Sequence, residues 1–302
     1  MPLLVLMLVA IGVATGVAFV TWHYPTPMAS PTPSLAVARA VGRELGHHTR
    51  LHRTIERRFN PKVATGLALT VALGAVVLGG IMLGALAYLV RTNSQLVDLD
   101  ASVARWGADH AGPVSDRALE AITQLGATWL VVTLAFVVAI VAHLRRPNRW
   151  IPVFLLAVIL GEQLLTNGIK ELLDRVRPTV NPIAETLGPS FPSGYTTAAA
   201  AFYAAAALVL GRGVGRLGRA LLAGVATGIA VAVACTRVFL GVHWLTDTFA
   251  GLFLGWAWFA ACAVAFGGRR FLRFGAAAEE VIHEADVEEG RSSRKARANA
   301  CN

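Results

Sequence analysis

Three short polar clusters interrupt an otherwise apolar chain and carry residue types that bind and transform anions. They are Lys170 with Arg177-Pro178, then Pro192-Ser193-Gly194-Tyr195, and then Thr236-Arg237 with His243 and Asp247. Charged side chains at the ends of apolar helices are costly to hold near lipid, so cations that can meet at one anion predict a functional site. The chemistry to expect there involves an anionic group.

The third cluster supplies a candidate nucleophile or base. His243 and Asp247 lie four residues apart, so Asp247 can accept a hydrogen bond from one imidazole nitrogen and leave the other directed at a substrate. Arg237, six residues before His243, is expected to end the preceding helix on the same side. The alternative is an ordinary interfacial histidine, but the spacing from Arg237 and Asp247 favours a site.

The first cluster is a candidate anion-binding helix end. If the helix continues past the membrane, Lys170, Asp174 and Arg177 share one face, because their spacings are four and three residues. Asp174 would then hold the two cations in place, and Pro178 would end the helix. Snorkelling of basic side chains at a membrane interface explains the same residues without a site.

The second cluster is a candidate helix start. Ser193 has the position of an N-cap before an apolar helix, and the free amides of a helix N-terminus bind phosphate. Taken alone, this pattern is that of an ordinary helix start. Ser193 and Gly194 are therefore candidate site residues only in combination with the other two clusters.

Composition places these clusters in a membrane protein. Of 302 residues, 55% are hydrophobic and 15% are charged, and the mean hydropathy is +0.58, whereas about a quarter of a soluble domain is charged. The net charge of +9 does not predict nucleic-acid binding, because the basic residues form short clusters between apolar runs, as in cytoplasmic loops. The cysteines are scattered and give neither a disulfide framework nor a metal-ligand spacing.

The apolar segments predict an all-α fold, a polytopic membrane helix bundle. A membrane-spanning helix needs about 20 mostly apolar residues. The candidate segments are Leu3 to Val20, Val63 to Val90, Thr128 to Ala142, Trp150 to Ile169, Thr196 to Leu210, Leu221 to Val238 and Trp244 to Phe266. The first could be a secretory signal, but it lacks a basic n-region, so an uncleaved anchor is favoured.

The chain divides into four parts on this basis. Residues 1–24 form an N-terminal membrane anchor, 25–62 a basic cytoplasmic linker, 63–267 a six-helix transmembrane core, and 268–302 a polar cytoplasmic tail that is expected to be disordered. Basic residues precede the second, fourth and sixth spans, whereas the loop from Leu96 to Gly126 is acidic. By the positive-inside rule, all three polar clusters face the extracytoplasmic side of the cell membrane.

The acidic loop contains a further helical pattern. Leu96, Leu99, Val103 and Trp106 recur at helical spacing. They predict a short amphipathic helix that lies either on the membrane surface or over the bundle.

The fourth span contains polar residues inside an apolar segment. They are Glu162, Gln163 and Asn167, and the last two share a helical face with Lys170. Two interpretations stay open: a polar path toward the site, or hydrogen bonds between buried helices.

Together, the three clusters resemble the three-part signature of the type 2 phosphatidic acid phosphatase (PAP2) superfamily. The first has Lys, six residues and Arg-Pro; the second has Pro-Ser-Gly; the third has Thr-Arg, five residues, His, three residues and Asp. The resemblance covers the six spans from Val63 to Phe266. It implies a helical core without a catalytic metal or cofactor, in which a histidine attacks phosphorus and water hydrolyses the resulting phosphohistidine.

The resemblance also implies a role for each residue. His243 is the nucleophile, and Asp247 orients it. The implied phosphate-binding residues are Lys170, Arg177, Ser193, Gly194 and Arg237. Such a set agrees with the physics of phosphoryl transfer, which needs positioning and positive charge on the equatorial oxygens. The implied partners are the lipid bilayer and a lipid phosphate or polyprenyl diphosphate.

One position departs from the family pattern. The second motif ordinarily ends in a histidine that resembles a general acid, and this chain has Tyr195 there. An ordinary phenol holds its proton until about pH 10 and an imidazole until about pH 6.5, so Tyr195 donates a hydrogen bond but is a poor proton donor. Loss of general acid catalysis typically costs about 100-fold to 10,000-fold in rate. A diphosphate suffers least, because its leaving phosphate has a second pKa near 6.

Three functions follow from these patterns. The leading one is an extracytoplasmic lipid phosphatase or diphosphatase that acts through a phosphohistidine. The second is a catalytically impaired lipid-phosphate binding protein, in which Tyr195 marks lost turnover. A transporter is less favoured, because only the fourth span carries polar residues, and haloperoxidase chemistry is disfavoured by the membrane spans and by Tyr195.

Overall fold

The computed structural model describes residues 1–23, 64–92, 94–110, 112–179 and 188–266, and for residues 64–76 and Ser94 it describes the backbone only. The helices of this described part are α1 (Pro2–His23), α2 (Ala64–Thr92), α3 (Ser94–Asp109), α4 (Pro113–Thr123), α5 (Thr128–Arg145), α6 (Trp150–Leu173), α7 (Gly194–Leu210), α8 (Arg216–Phe239) and α9 (Leu245–Phe266). A helix therefore forms at each of the predicted apolar segments. The predicted linker 25–62 and tail 268–302 lie outside the described residues.

Most of these helices have the dimensions of membrane spans. By length and composition, α1, α5, α6, α8 and α9 can each cross a bilayer, and α2 with α3, which meet at a bend of 89°, form either a sixth, broken span or a re-entrant loop. The helix α7 is apolar but has 17 residues. Large apolar side chains point outward from the bundle: Phe136 is 67% exposed and Leu164 is 75% exposed. Because helices satisfy their own backbone hydrogen bonds, such apolar exteriors suit lipid.

Helix α7 lies at the centre of the bundle because its residues are small. From Thr196 to Phe202 every residue is buried. Helix α9 approaches it at Gly251 and Gly255, where a Cβ atom would come within 2.8 Å of the Ser193 carbonyl oxygen and 2.5 Å of the Thr197 carbonyl oxygen. Small residues in membrane helices permit this close backbone contact. The start of α7 is thereby fixed against the start of α9.

Helix α1 packs along α8 through a second set of small residues. A Cβ atom at Gly224 would lie 2.5 Å from the Ala14 carbonyl oxygen, and one at Gly228 would lie 2.9 Å from the Ala14 side chain. Leu6 joins Leu119 and Phe239 in an apolar cluster near the end of α8. The first apolar segment is therefore an integral part of the bundle rather than a separate appendage.

Helix α3 packs over one end of the bundle. Its buried face contains Asp100, Ala104 and Gly107, whereas Leu99 is 52% exposed. A Cβ atom at Gly107 would come within 2.9 Å of the Phe239 backbone. Of the two predicted positions, α3 therefore takes the one over the bundle. The apolar face is rotated from the predicted one, because the carboxylate of Asp100 points inward to Arg175 and Thr246.

Candidate active site

The three polar clusters meet at one end of the bundle, where α6 and α8 end and α7 and α9 begin. The predicted residues of this end are Lys170 in the last turn of α6, Ser193 and Gly194 at the start of α7, Arg237 in the last turn of α8, His243 between α8 and α9, and Asp247 in the first turn of α9. Arg177 follows α6 and reaches the same place through its contact with His243. Neighbouring antiparallel helices thus bring together residues that are up to 77 positions apart in sequence.

One prediction about the first cluster is wrong. Helix α6 ends at Leu173, and Asp174 adopts a left-handed conformation with φ of 39°. The chain therefore turns before Arg177, so Lys170, Asp174 and Arg177 do not share a helical face. A left-handed residue ends a helix because it cannot continue the right-handed hydrogen-bond pattern. Arg177 reaches the site from an extended segment instead.

His243 is buried between Arg177 and Asp247. Its Nδ1 atom lies 3.5 Å from Oδ2 of Asp247, and its Nε2 atom lies 3.0 Å from Nη1 of Arg177. A guanidinium group only donates hydrogen bonds, so Nε2 must be the acceptor and the imidazole proton must reside on Nδ1. This tautomer directs the Nε2 lone pair toward Arg177, where a bound anion would lie.

Burial and neighbouring charges hold His243 in its neutral form. Burial lowers the pKa of His243 to about 4, the charges of Arg237 and Arg177 add to this effect, and Asp247 opposes it. Burial also lowers the pKa of Arg177, against the effect of Asp247. A neutral imidazole retains the lone pair that a nucleophile requires.

Arg177 is fixed in place by backbone carbonyls. Its Nε atom donates to Gly188 O at 2.7 Å, and Nη1 donates to Val242 O at 2.8 Å. Nη2 donates to Pro189 O at 3.2 Å. These bonds join the segment after α6 to the segments before α7 and α9, so Arg177 holds three parts of the site together.

Three groups that the sequence analysis did not identify hold Asp247. Arg175 donates to Oδ1 of Asp247 at 2.5 Å, and Ser190 donates to Oδ2. The backbone amide of Trp244 also donates to Oδ2, at 3.0 Å. Hydrogen bonds from several donors fix a carboxylate in one orientation. Asp247 is therefore prevented from rotating away from His243.

Asp100 extends this network to α3. Its carboxylate accepts hydrogen bonds from Arg175 at 2.9 Å, from the Thr246 hydroxyl at 2.6 Å and from the Thr246 amide at 3.0 Å. Asp100 is 1% exposed, so its charge depends on these partners. The acidic residues of the loop from Leu96 to Gly126 predicted membrane topology. No spacing in the sequence links Asp100 to Arg175, which is 75 positions away.

The start of α7 offers backbone amides to the site. Ser193 is the N-cap residue, as predicted, but its side chain makes no capping hydrogen bond and instead accepts one from the Thr196 hydroxyl at 3.0 Å. A Cβ atom at Gly194 would lie 3.8 Å from Nζ of Lys170 and 3.7 Å from the methyl group of Thr166. The Lys170 ammonium thus lies beside the first turn of α7, where amides and the helix dipole favour an anion.

Tyr195 lies under Arg237. The centre of its ring is 4.4 Å from the Arg237 guanidinium carbon, which is a cation–π distance. Nη1 of Arg237 lies 3.4 Å from the Thr123 hydroxyl, and the buried Nε atom has no hydrogen-bond partner among the described residues. The Tyr195 ring therefore supports an arginine that retains a donor for a further acceptor.

Within the described residues, no group of three or more His, Cys, Asp or Glu side chains gathers around a point that could hold a metal ion. Lys170, Arg177 and Arg237 bring positive charge to this end, where Arg175 is already paired with Asp100 and Asp247. Metal-independent chemistry stays a prediction.

Comparisons with known proteins identify relatives of this chain. Residues 151–271 match the family model described as PAP2 superfamily. The chain is 31% identical over 175 residues to phosphatidylglycerophosphatase B of Bacillus subtilis. The aligned region covers 56% of this chain and 84% of that protein. It is 33% identical over 121 residues to lipid A 1-phosphatase of Rhizobium johnstonii, covering 37% and 46% of the two chains.

A solved structure shows the same fold. The crystal structure of a transmembrane PAP2 type phosphatidylglycerolphosphate phosphatase from Bacillus subtilis superposes with a TM-score of 0.57 at 27% identity. The match covers 63% of this chain and 93% of that one. From the helices, the convergent site and these relatives, the chain is a multi-pass membrane phosphatase, a phosphoric ester hydrolase, and belongs to the PAP2 superfamily.

Proposed function

We propose that this phosphatase removes phosphate from a membrane lipid phosphate or polyprenyl diphosphate at the extracytoplasmic face, through a phosphohistidine on His243. The observation that carries the proposal is the pair of contacts of that imidazole: Nε2 faces Arg177 at 3.0 Å and Nδ1 faces the fixed carboxylate of Asp247. The named activities of the Bacillus and Rhizobium relatives support a lipid phosphate as substrate.

The proposed reaction has two steps. A bound phosphate group takes the Arg177 donor, which releases the Nε2 lone pair of His243 to attack phosphorus as the lipid oxygen leaves. Asp247 stabilises the positive imidazole that forms, because its carboxylate lies 3.5 Å from the protonated Nδ1 atom. Water then attacks the phosphohistidine and restores neutral His243.

The charges around the site suit the transition state. In this proposal, Lys170, Arg177 and Arg237 neutralise the equatorial oxygens, and the amide of Gly194 with Ser193 completes the cradle. Phosphoryl transfer depends mainly on such positioning and electrostatic stabilisation. The unpaired Nε atom of Arg237 provides one donor that the folded chain leaves available within its described residues.

Tyr195 favours diphosphate substrates in this proposal. A phenol in the place of the usual histidine is a poorer proton donor to a poor leaving group such as a lipid alkoxide. A lipid monophosphate that leaves from a diphosphate needs little protonation. We therefore expect an undecaprenyl-diphosphate-like lipid to be hydrolysed faster than phosphatidic acid or phosphatidylglycerol phosphate.

The extracytoplasmic orientation rests on charge at the two ends of the bundle. Arg145 and Arg146 at the end of α5, with Arg212 between α7 and α8, lie at the end opposite to His243. Basic loops are retained in the cytoplasm. Accessibility of a single cysteine placed at Ser102, on α3, to a membrane-impermeant thiol reagent tests this orientation, and labelling from the cytoplasmic side only would refute it.

Phosphate release by the purified protein in detergent tests the proposal. The wild type should hydrolyse a polyprenyl diphosphate faster than a phosphatidic acid, and His243→Ala should reduce both rates to background, with His143→Ala as the matched control at the opposite end. Full activity of His243→Ala would refute the mechanism, and a clear preference for the monoester would refute the substrate proposal.

The alternative, a lipid-phosphate binding protein, is favoured by Tyr195 alone. Acid-quenched reactions with substrate that carries a radioactive phosphorus label distinguish a binding protein from an enzyme. If the wild type forms no phosphohistidine under conditions in which Tyr195→His does, the chain binds lipid phosphate without turning it over.

A further inference from the structure

A buried carboxyl group in α6 has no partner that explains it. Glu162 is 1% exposed, and neither of its oxygens makes a hydrogen bond with any described residue. Thr166, one turn later, is 2% exposed, and its hydroxyl is also without a partner there. Gln163 and Thr166 are near enough to influence the Glu162 carboxyl but not in bonding geometry. Unpaired buried polar groups are rare and call for an explanation.

A hydrogen bond between helices explains the neighbouring Gln163 but not Glu162. Gln163 donates to the Thr128 hydroxyl of α5 at 3.1 Å, so it joins two helices. Asn167 is exposed. The face predicted to run through Gln163, Asn167 and Lys170 is therefore not the buried one. An ionisable residue inside a membrane helix without a structural partner indicates a function.

Glu162, Thr166 and Lys170 form one polar line that leads to the phosphate cradle. They are spaced by four residues, so they lie along one face of α6 with about 6 Å between successive positions. Both Thr166 and Lys170 reach the start of α7, at 3.7 and 3.8 Å from the place of a Cβ atom on Gly194. A hydroxyl group or a single water can bridge gaps of this length.

We propose that Glu162 holds the proton that the leaving oxygen needs and delivers it through Thr166 and Lys170. The inference rests on the proposed phosphohistidine mechanism. Without partners in an apolar interior, the neutral acid is much less costly than the carboxylate. The proton is thus stored close to the site, in a chain whose Tyr195 is a poor donor.

The proton balance closes over the two steps. As the bond from phosphorus to the lipid oxygen breaks, Lys170 gives a proton to that oxygen and takes one from Glu162 through the Thr166 hydroxyl. When water attacks the phosphohistidine, the proton that water loses returns to Glu162 by the same route. Lys170 touches the reacting oxygen and lies among Arg177, Arg237 and Asp247, whereas Glu162 acts only through Lys170.

The test compares two substrates that differ in leaving group. In Glu162→Gln, the ratio of phosphatidic acid turnover to polyprenyl diphosphate turnover should fall by about 100-fold, because only the monoester needs the proton. Thr166→Val should lower the same ratio. Gln163→Leu, the neighbouring polar residue, should leave it unchanged. A variant that merely disturbs packing lowers both turnovers together and leaves the ratio unchanged.

A second substitution makes the test independent of folding defects. Tyr195→His supplies an imidazole donor near neutral pH, so it should restore the ratio when combined with Glu162→Gln. An equal loss on both substrates in Glu162→Gln, or no restoration by Tyr195→His, overturns the proton-delivery proposal. If the wild type forms no phosphohistidine on His243, the proposed mechanism itself fails, and this outcome is separate from the first.

Discussion

Replacement of Tyr195 separates the role of its ring from that of its hydroxyl group. The ring lies 4.4 Å from the Arg237 guanidinium, and a cation–π contact contributes about 0.5 to 2 kcal/mol, depending on desolvation. Tyr195→Ala removes this contact and should raise KM by about 2-fold to 30-fold, because 1.4 kcal/mol corresponds to a factor of ten. The upper part of this range is expected, since the Nε atom of Arg237 is buried. Tyr195→Phe keeps the ring and should change turnover by less than about threefold, because a phenol contributes little as an acid.

The assay is steady-state phosphate release in detergent with a lipid diphosphate and a lipid monophosphate, over a range of mole fractions that defines KM. Tyr88→Phe is the matched control, because Tyr88 is 67% exposed on α2. A loss of about 100-fold or more for Tyr195→Phe on the monophosphate would refute the reasoning, since that loss is typical of a missing general acid. A normal KM for Tyr195→Ala would refute the role of the ring.

Other predictions concern the network, the nucleophile and the bundle. Asp100→Ala should lower the free energy of unfolding by about 3 kcal/mol in thermal or denaturant unfolding, because it removes a buried partner of Arg175; an unchanged stability would contradict this. Burial lowers the pKa of His243 to about 4, so the nucleophile stays neutral as pH falls through 6.5. The single-turnover rate of phosphohistidine formation should therefore fall through protonation of His243 only near pH 4. An acid limb near 6.5 with every substrate would contradict that. Gly224→Leu should separate α1 from α8 and destabilise the protein by about 1 to 3 kcal/mol, whereas Gly80→Leu, which meets nothing within 4 Å, should not.

The helices could be predicted from the sequence because a bilayer imposes both length and composition. A segment that crosses lipid must be helical and mostly apolar, so hydropathy identified each described span. The end of α6 could not be predicted in this way. Lys170, Asp174 and Arg177 have helical spacing, but the helix ends at Leu173 and Asp174 is left-handed.

The site could be predicted only where its residues keep a fixed spacing along the chain. His243 and Asp247 are one helical turn apart, so their meeting is local. Arg175 binds a carboxylate 72 positions away and another 75 positions away, and such contacts follow from packing. The contact of Tyr195 also follows from packing. The sequence shows that a tyrosine replaces the usual histidine, but only the fold shows that its ring lies under Arg237.

The charges of the assembled site match a phosphate group better than the sequence clusters suggest. Arg175 is paired with the carboxylates of Asp100 and Asp247, and its single positive charge leaves one of their two negative charges uncompensated.

The three remaining cations, Lys170, Arg177 and Arg237, therefore exceed the local negative charge by two. A phosphate monoester carries about two negative charges near neutral pH, so bound substrate neutralises the site. An ionised Glu162 would add a negative charge and disturb this balance, which is a further reason to expect a neutral acid there. The balance predicts that Asp100→Asn, which adds one net positive charge, favours the more negative diphosphate over the monoester. A comparison of KM for the two substrates measures this shift, and a shift toward the monoester would show that Asp100 acts on the site in some way other than through its charge.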